Sequence, residues 1–334
     1  MDLLDTADQG TSQDLNTQIA SNLNRWTNAQ PAVQNWKKTL LLDRIPPQFQ
    51  GIRDISPAVL SDKNFGADDV AYLQQTRQMK STGAWVTRKP TPDFLAQWSK
   101  QKGLSADVEQ QLFAAERIFD WTVRNIQLTP LFAHPDRVKT GPATDNRSVV
   151  SAASEAKVGP GYMHRPLETL LYGHGDMLNR AQIFILLARQ QGLNAVMLGV
   201  LDNAGTGSVE PWLPALLIDD DLYLFDTQLG LPIPDQSGQG IATLAEVLAD
   251  KNLLRSLDMS EELTYRVANK QLDKVHALLN VSPLAMSMRM RQLQASLTGE
   301  TQLALYVDAD RQYERLVNLK EIDDVLLWTV SLEN

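Results

Sequence analysis

Residues 173–200, which read GHGDMLNRAQIFILLARQQGLNAVMLGV, constrain the fold more than any other stretch of the chain. Two glycines mark a turn, Asp176 stands where a helix N-cap belongs, and an apolar run then extends to residue 191. Gly192 is well placed to end that helix, and residues 194–200 read as a strand. The stretch therefore predicts a helix over residues 177–191 that leads directly into a strand.

The flanking sequence predicts the elements that pack around this unit. Residues 105–128 form the clearest amphipathic pattern, with Ser105 as N-cap candidate and apolar residues recurring at spacings of three and four. Residues 213–218 and 222–226 predict a hairpin that turns at Asp219, Asp220 and Asp221. Residues 129–165 carry several prolines and glycines and predict a long irregular segment, which is typical of a functional loop or an insertion.

The rest of the chain reads as mainly helical before this core and mixed after it. After the hairpin we predict helices over residues 243–250, 253–257, 269–279 and 283–296. The tail predicts a strand over residues 303–307, a helix over 311–318 and a strand over 325–331. The fold class is therefore α+β, with a helix packed on a small antiparallel sheet in residues 106–240. Residues 1–105 form a helical extension, and residues 241–334 form C-terminal helices and a β-α-β-like tail.

Composition excludes several functional classes. The 334 residues carry a net charge of −9, which argues against a nucleic-acid binder because such proteins need a basic face. The chain has no cysteine, which excludes disulfides, thiolate metal sites and cysteine nucleophiles. Its 4 histidines lack the short spacing of a zinc site, so we predict neither a metal nor a cofactor.

No apolar run approaches the roughly 18 residues that predict a membrane span. Residues 1–20 are acidic and polar, unlike a signal peptide. The sequence as given therefore indicates a cytoplasmic protein, or an exported one from which a leader has been removed.

Three pieces, in order, carry a family resemblance. The first is A-E-R-I-F-D-W-T-V-R-N-I at residues 115–126, the second is residues 167–170 followed by 173–192, and the third is E-P-W at 210–212, continuing to F-D-T at 225–227. Together they resemble the transglutaminase-like branch of the papain-type fold. That family carries G-x-C at the start of a helix, then H-A-W, a hairpin and D-P-T.

The resemblance implies where a catalytic triad would lie. In active members a thiolate at a helix N-terminus is paired with a histidine, which a carboxylate orients. The matching positions here are Met177, Glu210 and Asp226, so only the carboxylate is kept. A thioether has no ionisable proton, and the resemblance therefore implies a non-catalytic protein. Its groove would be lined by His174, Asp176, Met177, Arg180, Glu210, Trp212 and Asp226.

Each of these residues also has an ordinary structural interpretation. Asp176 suits a helix cap, Asp226 an Asx turn, Met177 and Trp212 apolar packing, and Glu210 solvent. We expect the groove to bind a peptide or protein partner, or to have only a structural role. One alternative is an amidase- or peptidase-like hydrolase that uses His174, Asp176 and Glu210 with a water or a metal. Another is a purely architectural subunit.

Overall fold

The computed structural model describes residues 13–31, 36–45, 58–90, 93–129, 164–203 and 205–329. Its helices include α1 (Gln13–Asn28), α2 (Ala67–Val86), α3 (Asp93–Lys102), α4 (Ala106–Asn125), α5 (Pro166–Tyr172), α6 (Met177–Gln190), α7 (Leu244–Ala249), α8 (Asn252–Arg255), α9 (Met288–Ser296) and α10 (Ala309–Val317). Short 3-10 turns include Leu40–Arg44, Asn269–Asp273 and Leu284–Met286. Almost all of the predicted irregular segment 129–165 lies outside the described residues.

The strands form a small ribbon and one larger sheet. The ribbon pairs β1 (Gln127–Leu128) in parallel with β2 (His174–Gly175). The sheet contains β3 (Asn194–Leu201), β4 (Val209–Ile218), β5 (Asp221–Asp226), β6 (Leu231–Pro232), β7 (Val275–Leu279) and β8 (Asp324–Leu327), in the order β6-β5-β4-β3-β7-β8. All neighbours are antiparallel except β7 and β8. The protein is therefore of the α+β class.

Each face of the large sheet is covered by its own apolar core. One face packs against α4 and α6, where the Phe184 ring lies 5.6 Å from the Phe119 ring and 5.2 Å from the Phe225 ring. The other face buries Trp212 and Tyr265 together with side chains of α7, α8 and α10. Because successive strand residues point to opposite faces, this division assigns each strand side chain to one side of the sheet.

The predicted central unit is confirmed. Helix α6 begins at Met177 and ends one residue before the predicted end, and β3 follows it directly. Ser105 caps α4 by accepting a hydrogen bond from the Val108 N–H, as its position predicted. The hairpin of β4 and β5 turns at residues 219–220.

The prediction of a helix over residues 269–279 was wrong in its second half. Residues 269–273 form a 3-10 turn, but Val275–Leu279 is strand β7, which pairs with β3 and β8. All five residues of β7 are buried. A short apolar run that is buried on both faces lacks the alternation by which a strand is recognised in sequence.

The predicted strand at residues 303–307 is also absent. Side-chain amides satisfy its main chain instead: Gln190 bonds both the N–H and the carbonyl of Ala304, and Gln294 accepts from the N–H groups of Leu305 and Tyr306. The β-α-β-like tail is present, but its first strand is β7, followed by α10 and β8. Strands β7 and β8 come from beyond residue 240, so the sheet includes residues on both sides of that predicted boundary. The boundaries of the three regions remain predictions.

Within the described ranges, no helix has both the length and the apolar character that a membrane crossing requires.

His276 in β7 provides a test of the sheet core. Its ring is buried, and neither ring nitrogen has a hydrogen-bond partner in the described part of the chain. Burial lowers the pKa of His276, against the opposing influence of Asp323 and Asp324. The neutral ring therefore favours folding above the unfolded-state pKa of about 6.5, and that contribution is lost as pH falls below it.

We expect His276→Leu to be more stable than the parent by about 1 kcal/mol at neutral pH, because it removes two unpaired polar atoms. The difference should grow as pH falls from about 7 to about 5, since only the parent must protonate a buried ring. Urea unfolding at several pH values measures this. His276→Gln, which cannot titrate, serves as control. If the free energy of unfolding fell equally with pH in the parent and in His276→Leu, His276 would not be a buried ring that protonates only at a cost in stability.

Candidate functional site

The start of α6 is shaped by the residues before it. Gly173 ends α5 at φ 67°, and a side chain at Gly175 would place its Cβ 2.7 Å from the Asn179 Cβ. Asp176 accepts a hydrogen bond from the Asn179 N–H at 2.7 Å, and the Asn179 side chain accepts from the Asp176 N–H at 3.2 Å. This reciprocal cap explains the G-H-G-D sequence and confirms Asp176 as the N-cap.

Met177 is the first residue of α6 and is half-buried. Its carbonyl accepts a hydrogen bond from the Thr227 hydroxyl at 2.8 Å. Thr227 follows the last residue of β5, so the start of α6 and the end of β5 lie side by side. The positive end of the helix dipole is present here, but a thioether cannot use it to form an anion.

Asp226 is completely buried, and its carboxylate has no free oxygen. Oδ1 accepts from the N–H groups of Gln228 at 2.8 Å and Leu229 at 2.9 Å, which is the Asx turn that its position suggested. Oδ2 accepts from the Tyr265 hydroxyl at 2.6 Å, and that hydroxyl accepts from the Trp212 indole N–H at 2.9 Å. Burial and the neighbouring carboxylate raise the pKa of Tyr265 well above its usual value.

The Asp226 carboxylate and Glu210 lie on the face of the sheet opposite α6. Phe225 packs against Phe184 of α6, and Asp226, the next residue, bonds Tyr265 in the other core. On β4, Val209 packs against the α6-side core, so the alternation of the strand directs Glu210 to the opposite face, where it is exposed. The structure thus brings α6 and the end of β5 together, but it does not turn these two carboxylates towards α6.

Arg180 holds the elements around the start of α6 together. Its buried guanidinium donates to the carbonyls of Ile126 at 2.8 Å, Val123 at 3.2 Å and Thr227 at 3.1 Å. Two of these carbonyls lie at the C-terminal end of α4, where a helix favours a cation. Burial lowers the pKa of Arg180. The residue therefore fastens α4, α6 and the loop after β5 at one point.

His174 belongs to an aromatic group at the same end of α6. Its ring centroid lies 4.8 Å from that of His164 and 6.1 Å from that of Tyr172.

Burial raises the pKa of Asp176, while its hydrogen bonds from Asn179 and Leu178 oppose the rise. Glu210 lies on the opposite face of the sheet, so the His174, Asp176 and Glu210 constellation is not assembled. Among the described residues, no group of three or more His, Asp or Glu side chains is placed to hold a metal.

Sequence reasoning missed Tyr265 and Arg266. The Arg266 guanidinium donates to the Trp212 carbonyl and lies 4.0 Å from Asp226 Oδ2. Both residues come from an irregular segment between α8 and β7, 39 residues after Asp226 in the case of Tyr265. No local pattern marks them, because the contact forms only when this segment folds back onto the sheet.

No family model matches the chain, and no curated protein matches it at a significant level. A solved structure of a candidate cysteine protease from Cytophaga hutchinsonii is similar to it, with 14% identity and a TM-score of 0.26. The match covers 57% of this chain and 45% of that one, so it spans less than half of the solved protein. At this TM-score the likeness carries no argument about activity.

Removing the Tyr265 hydroxyl should reveal how much the buried network stabilises the fold. Tyr265→Phe leaves the Trp212 N–H and one oxygen of Asp226 unpaired in the core, so we expect a loss of about 3 kcal/mol in the free energy of unfolding. Tyr172→Phe, at a tyrosine whose side chain is 62% exposed, should change it by less than about 0.5 kcal/mol. Urea denaturation measures both variants. Equal stability of the two variants would show that the hydroxyl bridge does not exist.

Proposed function

We propose that this chain is a non-catalytic transglutaminase-like protein that binds a peptide or protein partner at the start of α6. The order of its elements supports the kinship, because α4, α5 and α6 precede the β4–β5 hairpin as the resemblance requires. The hydrogen bond between Met177 and Thr227 supports it too, since it sets the nucleophile position beside the end of the carboxylate strand.

The loss of catalysis follows from the chemistry at the three triad positions. Met177 supplies no nucleophile, and Glu210 is exposed on the sheet face away from α6. Asp226 is completely buried on that same face and bonded to Tyr265 and to two main-chain N–H groups, so its carboxylate does not face a base beside Met177. A displaced hydrolase site would need His174, Asp176 and Glu210 to converge, and for that reason we do not propose it.

A group of exposed apolar side chains supports the binding role. It lies around the start of α6, and we call it the entrance patch: Leu128, Leu171, Tyr172 and Leu229. The β1–β2 pairing places Leu128 beside Gly175, and Arg180 joins residue 126 to residue 227. Exposed apolar side chains that collect around one point of a surface are typical of an interaction site.

The entrance patch is the observation on which the proposal rests, and its variants test it. Peptides selected from a displayed random library against the parent protein should bind a Leu171→Ser/Tyr172→Ser variant at least about tenfold more weakly, because the two side chains supply apolar contact area. Titration calorimetry or fluorescence anisotropy measures the affinities.

A matched pair of exposed apolar residues provides the control. Met259 and Leu263 are 85% and 64% exposed, close to the 70% and 62% of Leu171 and Tyr172, and belong to the segment between α8 and β7. A Met259→Ser/Leu263→Ser variant should bind the selected peptides as the parent does. Enrichment of no peptide, or equal binding by both double variants, would count against the entrance patch as a binding site.

A further inference from the structure

A cavity lies along one side of α6. We call it the Arg189 cleft: it has a volume of about 490 Å³ and is bounded by α2, α5, α6 and residues 280–285. Gln182, Leu186 and Arg189 line it from α6, and their spacing of four and three residues places them on one stripe of the helix. The cleft is large enough for an amino acid or a dipeptide.

Arg189 is the strongest indication of what the cleft binds. The half-buried guanidinium donates one hydrogen bond, to the Asn280 carbonyl, and no carboxylate pairs with it in the described ranges. Burial lowers the pKa of Arg189, as expected for a cation that has lost water without gaining an anion. Arg289, by contrast, is buried against Asp69 at 2.7 Å. Desolvated cations of this kind are stabilised when an anion binds.

Two carboxamides at the wall of the cleft each have a buried atom without a partner. Gln182 and Asn280 are 3% and 5% exposed, and Gln182 Oε1 and Asn280 Nδ2 have no hydrogen-bond partner within the described part of the chain. Buried carboxamides are nearly always bonded, and each offers both donors and an acceptor. Rotation of these amides into the cleft would let Asn280 Nδ2 donate to the anionic group of a ligand and Gln182 Oε1 accept from a donor beside it.

The other residues that line the cleft indicate the rest of the ligand's chemistry. Asp68 and Glu168 line the cleft with negative charge, and its apolar lining includes Leu167, Leu186, Pro283 and Leu284. A cleft with two arginines (Arg165 and Arg189), two carboxylates and an apolar wall matches a molecule with both charges and an apolar side chain. We propose that the Arg189 cleft binds the zwitterion of an apolar amino acid or dipeptide, with the carboxylate on Arg189 and the ammonium group towards Asp68 and Glu168.

Methyl NMR of the full chain tests this with three probes. L-Leucine or L-leucyl-L-leucine should shift the methyl signals of Leu186 and Leu284 in a saturable way, and the tighter of the two identifies the ligand size. L-Leucinamide, which lacks the carboxylate, should bind at least about tenfold more weakly. Equal binding of leucine and leucinamide, or no saturation by either carboxylate up to about 10 mM, would overturn the proposal.

Two arginine variants locate the site. Arg189→Met should lower the affinity for the better carboxylate at least about tenfold while remaining folded, since it removes an unpaired cation. Arg311 lines a neighbouring cavity of about 730 Å³ that shares Arg189 and Asn280. Arg311 does not line the Arg189 cleft, so Arg311→Met should leave binding unchanged. Unchanged binding by Arg189→Met, or a loss of affinity in Arg311→Met, would show that the Arg189 cleft is not the site.

Discussion

The buried carboxylate of Asp226 is the constraint on which the end of the sheet depends. A charge with no contact with solvent is tolerated only when its oxygens are bonded. Two main-chain N–H groups and the Tyr265 hydroxyl meet that need, and Tyr265 also takes the indole hydrogen bond of Trp212. The last residue of β5 is thereby fixed to β4 and to the segment that precedes β7.

On the other face of the sheet, Arg180 fixes the same region from the side of α6. It joins the end of α4 to the carbonyl of Thr227, whose hydroxyl bonds Met177. The start of α6 therefore lies between two buried polar networks. Neither network leaves a proton donor and acceptor in the arrangement that a nucleophile needs. The exposed side chains near the start of α6 include Leu171 and Tyr172.

Local sequence signals predicted the parts of this arrangement that depend on local interactions. The cap at Asp176, the length of α6, the β4–β5 hairpin and the Asx turn at Asp226 all arise from residues within a few positions of one another. Long-range contacts could not be predicted in this way. Strand β7 is buried on both faces, so its sequence shows no alternation of polar and apolar residues. In residues 303–307, main-chain groups form hydrogen bonds with glutamine side chains more than ten residues away. Tyr265 reaches Asp226 only through the tertiary fold.

We propose that Met177 at the start of α6 occupies the position of a nucleophilic thiol in the family that the chain resembles, without the groups that would activate a thiol. Because the chain has no cysteine, Met177→Cys would introduce a single thiol whose pKa can be measured from the pH dependence of iodoacetamide alkylation. Ala106→Cys is the matched control, since Ala106 is also the first residue of a capped helix and has an aspartate neighbour. We predict thiol pKa values within about one unit of each other. A Met177→Cys thiol with a pKa more than about two units below the control would mean that an activating partner is present, and would contradict the account.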